Sequence, residues 1–254
     1  MNARFTRFNV PAQIARSAAT LALCSACATT GLCGPIHDAA RKGDEAKVVA
    51  LLSQNPDLVS SKDKLGNTPL HIAALHDQPA IAALLIANGA DVNAHNTPLG
   101  QEVIASSYLS KRADADFNQK ASGETPLTLA LLSYHHKEMI ELLLTHGADP
   151  NVYVHIGVTP LQRAIERDLP YDVELLLANG ADPDAINLSG SSSVLWAVMH
   201  GKNRILELLL NAGANPNAKD GGGHTPLFYA QNGYGGMGSN EKAITLLQAH
   251  GGHL

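Results

Sequence analysis

Apolar positions along this chain fall into two short helical stripes, then polar residues and a glycine, then the same again. Residues 63 to 93 show one cycle. Asp63-Lys64-Leu65-Gly66-Asn67 is polar and reads as a turn, with Gly66 at a place suited to a positive φ. Thr68 is placed to cap the helix that follows. Pro69 fits its first turn, where no intrahelical N–H partner is needed. Leu70, Ala73 and Ala74 give that helix a small apolar face that lets a neighbour come close. Ile81, Leu84 and Leu85 share one face of a second helix. Asn88-Gly89 ends it, because glycine accepts the left-handed backbone of a helix C-terminus.

The exit phrase Ala90-Asp91-Val92-Asn93 returns as Ala148-Asp149-Pro150-Asn151, Ala181-Asp182-Pro183-Asp184 and Ala214-Asn215-Pro216-Asn217, and the last three are 33 residues apart. Thr-Pro-Leu keeps step at Thr68, Thr125, Thr159 and Thr225, with Ser192-Ser193-Val194 in register between the last two. Neither helix of a unit can bury its apolar face alone. Stacked neighbours bury a continuous core, so the period predicts a solenoid. Thr68-Pro69-Leu70-His71-Ile72-Ala73-Ala74 and Asn88-Gly89-Ala90-Asp91-Val92-Asn93 resemble the ankyrin repeat almost residue for residue, over about residues 34–254. The resemblance implies an all-α repeat solenoid of helix-turn-helix units with β-hairpin-like turns. Six units are expected, the first from Gly34 and the last from Thr225 to Leu254, with polar outer faces at both ends. Asp91, Asp149 and Asp182 recur at one place in the unit and read as turn stabilisers.

Two places break the rhythm. Asn93 and Thr125 are 32 residues apart, where Asn151 and Thr159 are 8 apart. The extra stretch holds Thr97-Pro98-Leu99 and Ala115-Asp116-Phe117-Asn118, and Asn118 lies 33 residues before Asn151. Residues 94–123 therefore read as an eroded repeat or a surface insertion. The second break, Gly233-Tyr234-Gly235-Gly236-Met237-Gly238, spells G-x-G-x-x-G. A dinucleotide site needs that motif between a strand and a helix, and here a short helix precedes it. A flexible loop is the better reading. Small-ligand binding or enzymatic activity at loop 233–238, with His224 or Tyr229, is a lesser alternative.

Composition agrees with helix stacking through small residues: aromatics are 4% and charged residues 16%. The net charge of −5, with no basic run, argues against nucleic-acid binding by phosphate neutralisation. Residues 1–28 differ from the rest. Arg4, Arg7 and Arg16 precede the apolar stretch Ala18–Ala26, which is too short to span a bilayer as a helix. This is the pattern of a secretory signal. Ala26-Cys27-Ala28 fits small-x-small cleavage, and Ser25-Ala26-Cys27 resembles a lipobox in which Cys27 would carry lipid. Removing residues 1–26 takes away three arginines and no acid and moves the net charge from −5 to −8. Cys24, Cys27 and Cys33 all lie in this N-terminal region, so the repeats hold no disulfide and no cysteine-based zinc site. An exported protein is expected, periplasmic or lipid-anchored. An intracellular scaffold or effector with an unprocessed N-terminus is the alternative.

No catalytic residue, metal ligand or cofactor is expected. Of twelve histidines, His135 and His136 are adjacent and cannot share one helical face. His71 reads as structural, and His146 suits a helix C-terminus. Neither H-E-x-x-H nor G-x-S-x-G occurs. The resemblance implies protein binding through hairpin tips and the exposed part of each first helix. Those places are Lys64, Leu65, Glu124, His155 and Ile156 at the tips, and Leu75, His76, Ser133, Tyr134, Glu166, Arg167, Met199 and His200 on the helices. They vary while the frame repeats. Exposed Leu, Tyr, Met and Ile there would suit a hot spot, and Trp196 beside them reads as a packing residue. The expected molecule is a monomer that binds one protein partner, with membrane contact only through a lipid on Cys27.

Overall fold

The computed structural model describes residues 34–97, 123–133, 137–154, 158–186, 191–236 and 238–254. The expected signal at 1–28, with Cys27, lies outside them, as does most of 94–123. The described chain contains twelve α-helices in pairs. The inner helix of each pair comes first: α1 Pro35–Lys42, α3 Pro69–Leu75, α5 Pro126–Ala130, α7 Pro160–Glu166, α9 Ser193–Met199 and α11 Pro226–Asn232. The outer helices are α2 Glu45–Gln54, α4 Pro79–Ala87, α6 Lys137–Thr145, α8 Pro170–Ala178, α10 Asn203–Asn211 and α12 Glu241–Ala249. Each inner helix packs on the next inner helix, and each outer helix on the next outer one, in chain order. That is the all-α solenoid expected from the period. Strand structure among the described residues is limited to two isolated antiparallel bridges, Val154 with Val158 and Ile186 with Ser192.

Each unit is built from few rules. α3 has only 7 residues, too few to hold as an isolated helix. It is held by its cap and its neighbours: Leu70, Ala73 and Ala74 are all fully buried. The alanines bring the chain close enough for the Gln78 N–H to reach the Ala73 carbonyl at 2.9 Å, and Leu169 to Ala164 and Lys202 to Ala197 repeat that bond. The residue before each such bond is left-handed. It is Gly201 in the fifth unit, but Asp77 (φ 51°) and Asp168 (φ 59°) in the second and fourth. The outer helix closes with Ala90 N–H returning to the Leu85 carbonyl at 3.0 Å across Gly89 (φ 87°). Ile81 and Leu85 beneath it are about fully buried, each worth roughly 1.5–3 kcal/mol. A 3-10 turn at Pro56–Ser60 follows α2, and no sequence signal anticipated it.

The second and third units stack directly on one another, α3 on α5 and α4 on α6. A row of exit asparagines shows how close this joint is. Asn151 Nδ2 donates to the Gly180 carbonyl at 2.9 Å, and its Oδ1 accepts from Asp182 N–H at 2.7 Å. Asn93 makes the same two bonds to Gly147 (2.9 Å) and Asp149 (2.8 Å), although those partners lie 54 and 56 residues on rather than 29 and 31. Both ends of the extra stretch are tied at this joint. Asn96 N–H donates to the Glu124 carbonyl at 3.0 Å, Asn96 Oδ1 accepts from Glu124 N–H at 2.8 Å, and Thr97 N–H donates to the Leu65 carbonyl at 3.0 Å.

Candidate functional site

Among the described residues, side chains of the inner helices cross to the turns of neighbouring units. Threonine or serine caps hold each inner helix. Thr125, Thr159, Ser192 and Thr225 accept from the backbone N–H three residues on. In the second unit, His71 Nδ1 lies 3.1 Å from Thr68 N and 2.8 Å from Thr68 Oγ1, so Nε2 carries the proton and donates to the Glu124 carbonyl at 3.0 Å. Burial lowers the His71 pKa to about 4, against the help of the Glu124 carbonyl. His37 makes the equivalent bond to Asn67 at 2.9 Å, and Gln162 to Ala185 at 2.9 Å. Asp91, Asp149 and Asp182 each accept from the N–H two residues on, the turn role expected of them.

The residues expected to meet a partner divide into three zones. At the N-terminal end Lys64 is exposed, and Leu65 and His76 are half-buried. Burial and the nearby Arg41 lower the His76 pKa. Leu75 corrects its expectation. It is 6% exposed, packed in a small cluster with Leu129 and Leu132, because inner helices that stack directly also cover the side chains between them. Ser133 is buried as well, and its carbonyl accepts from Arg167 Nη2 at 3.4 Å.

The middle zone is ionic. Arg163 Nη2 meets Glu124 Oε1 at 2.9 Å, with both side chains largely covered. Glu166 reaches solvent, yet the surrounding wall desolvates its carboxyl and raises its pKa, against the pull of the Arg163 guanidinium. Arg163 was not among the expected residues. It holds the place of Ile72 in the repeat, and that register was the available signal.

The C-terminal zone is aromatic. Met199 and His200 are half-buried. His200 stacks on Trp196 at 4.3 Å and lies 6.4 Å from the Tyr234 ring. Tyr234 and Tyr229 meet edge to face at 5.7 Å. Trp196 and Tyr229 also stand at the Ile72 place, so one register shows leucine, arginine, tryptophan and tyrosine in successive units. Trp196 packs against the core, as expected, and is half-buried. Tyr134, His155 and Ile156 lie outside the described residues. The helix-end role of His146 is seen directly, since its Nδ1 bonds the Leu142 carbonyl at 2.8 Å. Loop 233–238 joins α11 to α12, and its neighbours His224 and Tyr229 are engaged with Asp220. Among the described residues, no group of three or more His, Cys, Asp or Glu could hold a metal ion.

This chain belongs to the ankyrin-repeat family. A family model described as ankyrin repeats (3 copies) matches residues 17–96, 99–187 and 171–253. An ankyrin repeat domain from Acinetobacter baumannii superimposes with a TM-score of 0.69 at 29% identity, covering 86% of this chain and 98% of that one. A chain from the solved complex of a predatory endopeptidase of Bdellovibrio bacteriovorus with an immunity protein superimposes with a TM-score of 0.63 at 23% identity, covering 85% of this chain and 98% of that one, which shows shared fold alone. An ankyrin repeat protein of Rickettsia bellii is 30% identical over 132 residues, 49% of this chain and 19% of that protein. The chain spans about a fifth of the length of the curated relatives first matched.

Proposed function

We propose that this protein is an exported, non-enzymatic ankyrin module that holds one protein partner in the groove formed by its inner helices and hairpin tips. The observation that carries this reading is the zoned face. A repeating frame presents half-buried apolar, ionic and aromatic side chains at equivalent places, and the frame itself does not need that variety. Caps and cross-unit bonds hold the face in one shape, so little conformational entropy is lost on binding. The solved endopeptidase–immunity protein complex contains a chain of this fold in a protein–protein assembly, which supports the mode of action but names no partner here.

Export rests on the basic and then apolar N-terminal pattern. Intact mass of the protein recovered from a Gram-negative host tests it. A mature chain starting at Thr29, or at a lipidated Cys27, supports export, and a full-length chain retaining Met1 contradicts it. For the groove, Glu166→Lys with Met199→Asp is expected to weaken partner binding at least about tenfold. Glu174→Lys on outer helix α8 leaves it unchanged. Equal loss from both variants would place the partner elsewhere.

A further inference from the structure

The aromatic zone is more than a packed corner. Trp196 on α9 and His200 at its C-terminal cap, Tyr229 and Phe228 on α11, Tyr234 after it, and His224 on the turn before it form a connected band of six rings. Neighbouring centroids lie 4.3 to 6.4 Å apart, and none of the six is fully buried. The whole chain has one Trp, six Tyr and four Phe, so four of its eleven aromatic residues gather on the last two units.

The charge around the band is one-sided in a specific way. Three cations of the neighbouring units are paired away from the band, and Lys219 next to Asp220 in the chain is exposed. Lys202 Nζ is 2.8 Å from Asp168 Oδ2, Arg163 is paired with Glu124, and Arg167 donates to the Ser133 carbonyl. The carboxylate at the band, Asp220, is held mainly by neutral donors. Tyr229 OH donates to its Oδ2 at 2.5 Å, and the N–H groups of Gly222 and His224 donate to its Oδ1 at 2.8 and 2.9 Å. Burial pushes the Asp220 carboxyl up, but these bonds outweigh it and hold the group ionised. The one imidazole near it, His224 at 3.6 Å, is a cation only when protonated. A negative charge balanced by dipoles, beside electron-rich ring faces, is the surface a planar cation fits.

We infer that the aromatic band is the anchor for an arginine side chain on an extended segment of the partner, its guanidinium lying on the Trp196 and Tyr234 rings within the field of Asp220. This deepens the groove reading and rests on it. Arginine suits the place better than lysine, because its guanidinium is flat, stacks on rings and is weakly hydrated. The acidic chain as a whole, at −5, favours the approach of such a segment.

Trp196 is the sole tryptophan, so its emission reports on this place directly. The probe is the capped peptide Gly-Arg-Gly-Arg-Gly-Arg-Gly. Its counterpart carries citrulline, which keeps the shape and removes the charge. The expected result is a saturable change in Trp196 emission with the arginine peptide, at least about tenfold weaker with citrulline and about tenfold weaker in Tyr234→Leu. Tyr234 lies in the loop after α11, and the far-ultraviolet spectrum checks that the variant stays folded. Equal response to both peptides, or no saturable response, overturns the inference. That outcome leaves the groove reading standing if Glu166→Lys with Met199→Asp still weakens the partner. If that variant also has no effect, the groove reading falls on its own account.

Discussion

Two residues show how single side chains set this molecule. Gly123 lies against the start of the extra stretch, and a methyl group added there would sit 1.9 Å from the Asn96 carbonyl oxygen, a backbone atom that cannot step aside. Gly123→Ala should therefore cost about 1–3 kcal/mol in urea unfolding. An unchanged midpoint would mean that residues 96 and 124 are not paired in solution. His71 makes a pH-dependent contribution whose sign follows from its burial. The folded state keeps it neutral down to about pH 4, whereas the unfolded imidazole takes its proton near 6.5. Its share of stability is thus complete above pH 6.5 and is lost as pH falls toward 4, by about 3 kcal/mol in total. Gln162 makes the same cross-unit bond without titrating. His71→Gln should keep stability at pH 7 and flatten the loss between pH 6.5 and 4, read from urea midpoints. An equally steep loss in the variant would assign the acid sensitivity to other groups.

Among the elements, the joints between units differ by identifiable bonds. Asn93, Asn151 and Asn217 each both donate to a glycine carbonyl and accept a backbone N–H from the next unit. Asp184 holds the same place in the fourth unit and can only accept, which it does from Asn215 N–H at 2.8 Å. Asp184→Asn should restore the second bond, to Gly213, and stabilise by about 1 kcal/mol. Asn151→Asp should cost a similar amount. Opposite signs in urea unfolding support the clamp, and two neutral results contradict it. The helix pairs, their caps and their glycine ends were legible in the sequence because each depends on residues within one repeat, such as Thr68 with Pro69 or Asn88 with Gly89. The asparagine clamp was not legible as a clamp. Its two ends lie in different units, and Asn93 reaches across 54 residues to find its partner.

For the molecule as a whole, the same division between local and cross-unit information separates what the sequence revealed of the candidate site from what it concealed. The register put Glu166 and Met199 at the ends of inner helices α7 and α9, with Arg167 and His200 at their caps, and the structure has them there, exposed or half-buried. It placed Leu75 there too, but exposure depends on the neighbouring helix, and Leu129 and Leu132 cover it. It passed over Arg163 and gave Tyr229 and the loop of Tyr234 only to a lesser small-ligand reading, because their place beside the groove appears only when α7, α9 and α11 stand side by side. Stability of such a stack is a sum over units and joints, so a change in one joint leaves the rest of the face in place. The central claim is that this inner face holds the partner, and site-specific photo-crosslinking tests it most directly. A photoreactive residue is installed at Met199 on the inner face or at Glu174 on outer helix α8, and cells of the native host are irradiated intact. A discrete adduct of one size from position 199, absent from position 174, is the predicted result. An adduct from position 174 alone would contradict the account and move the binding surface to the outer helices.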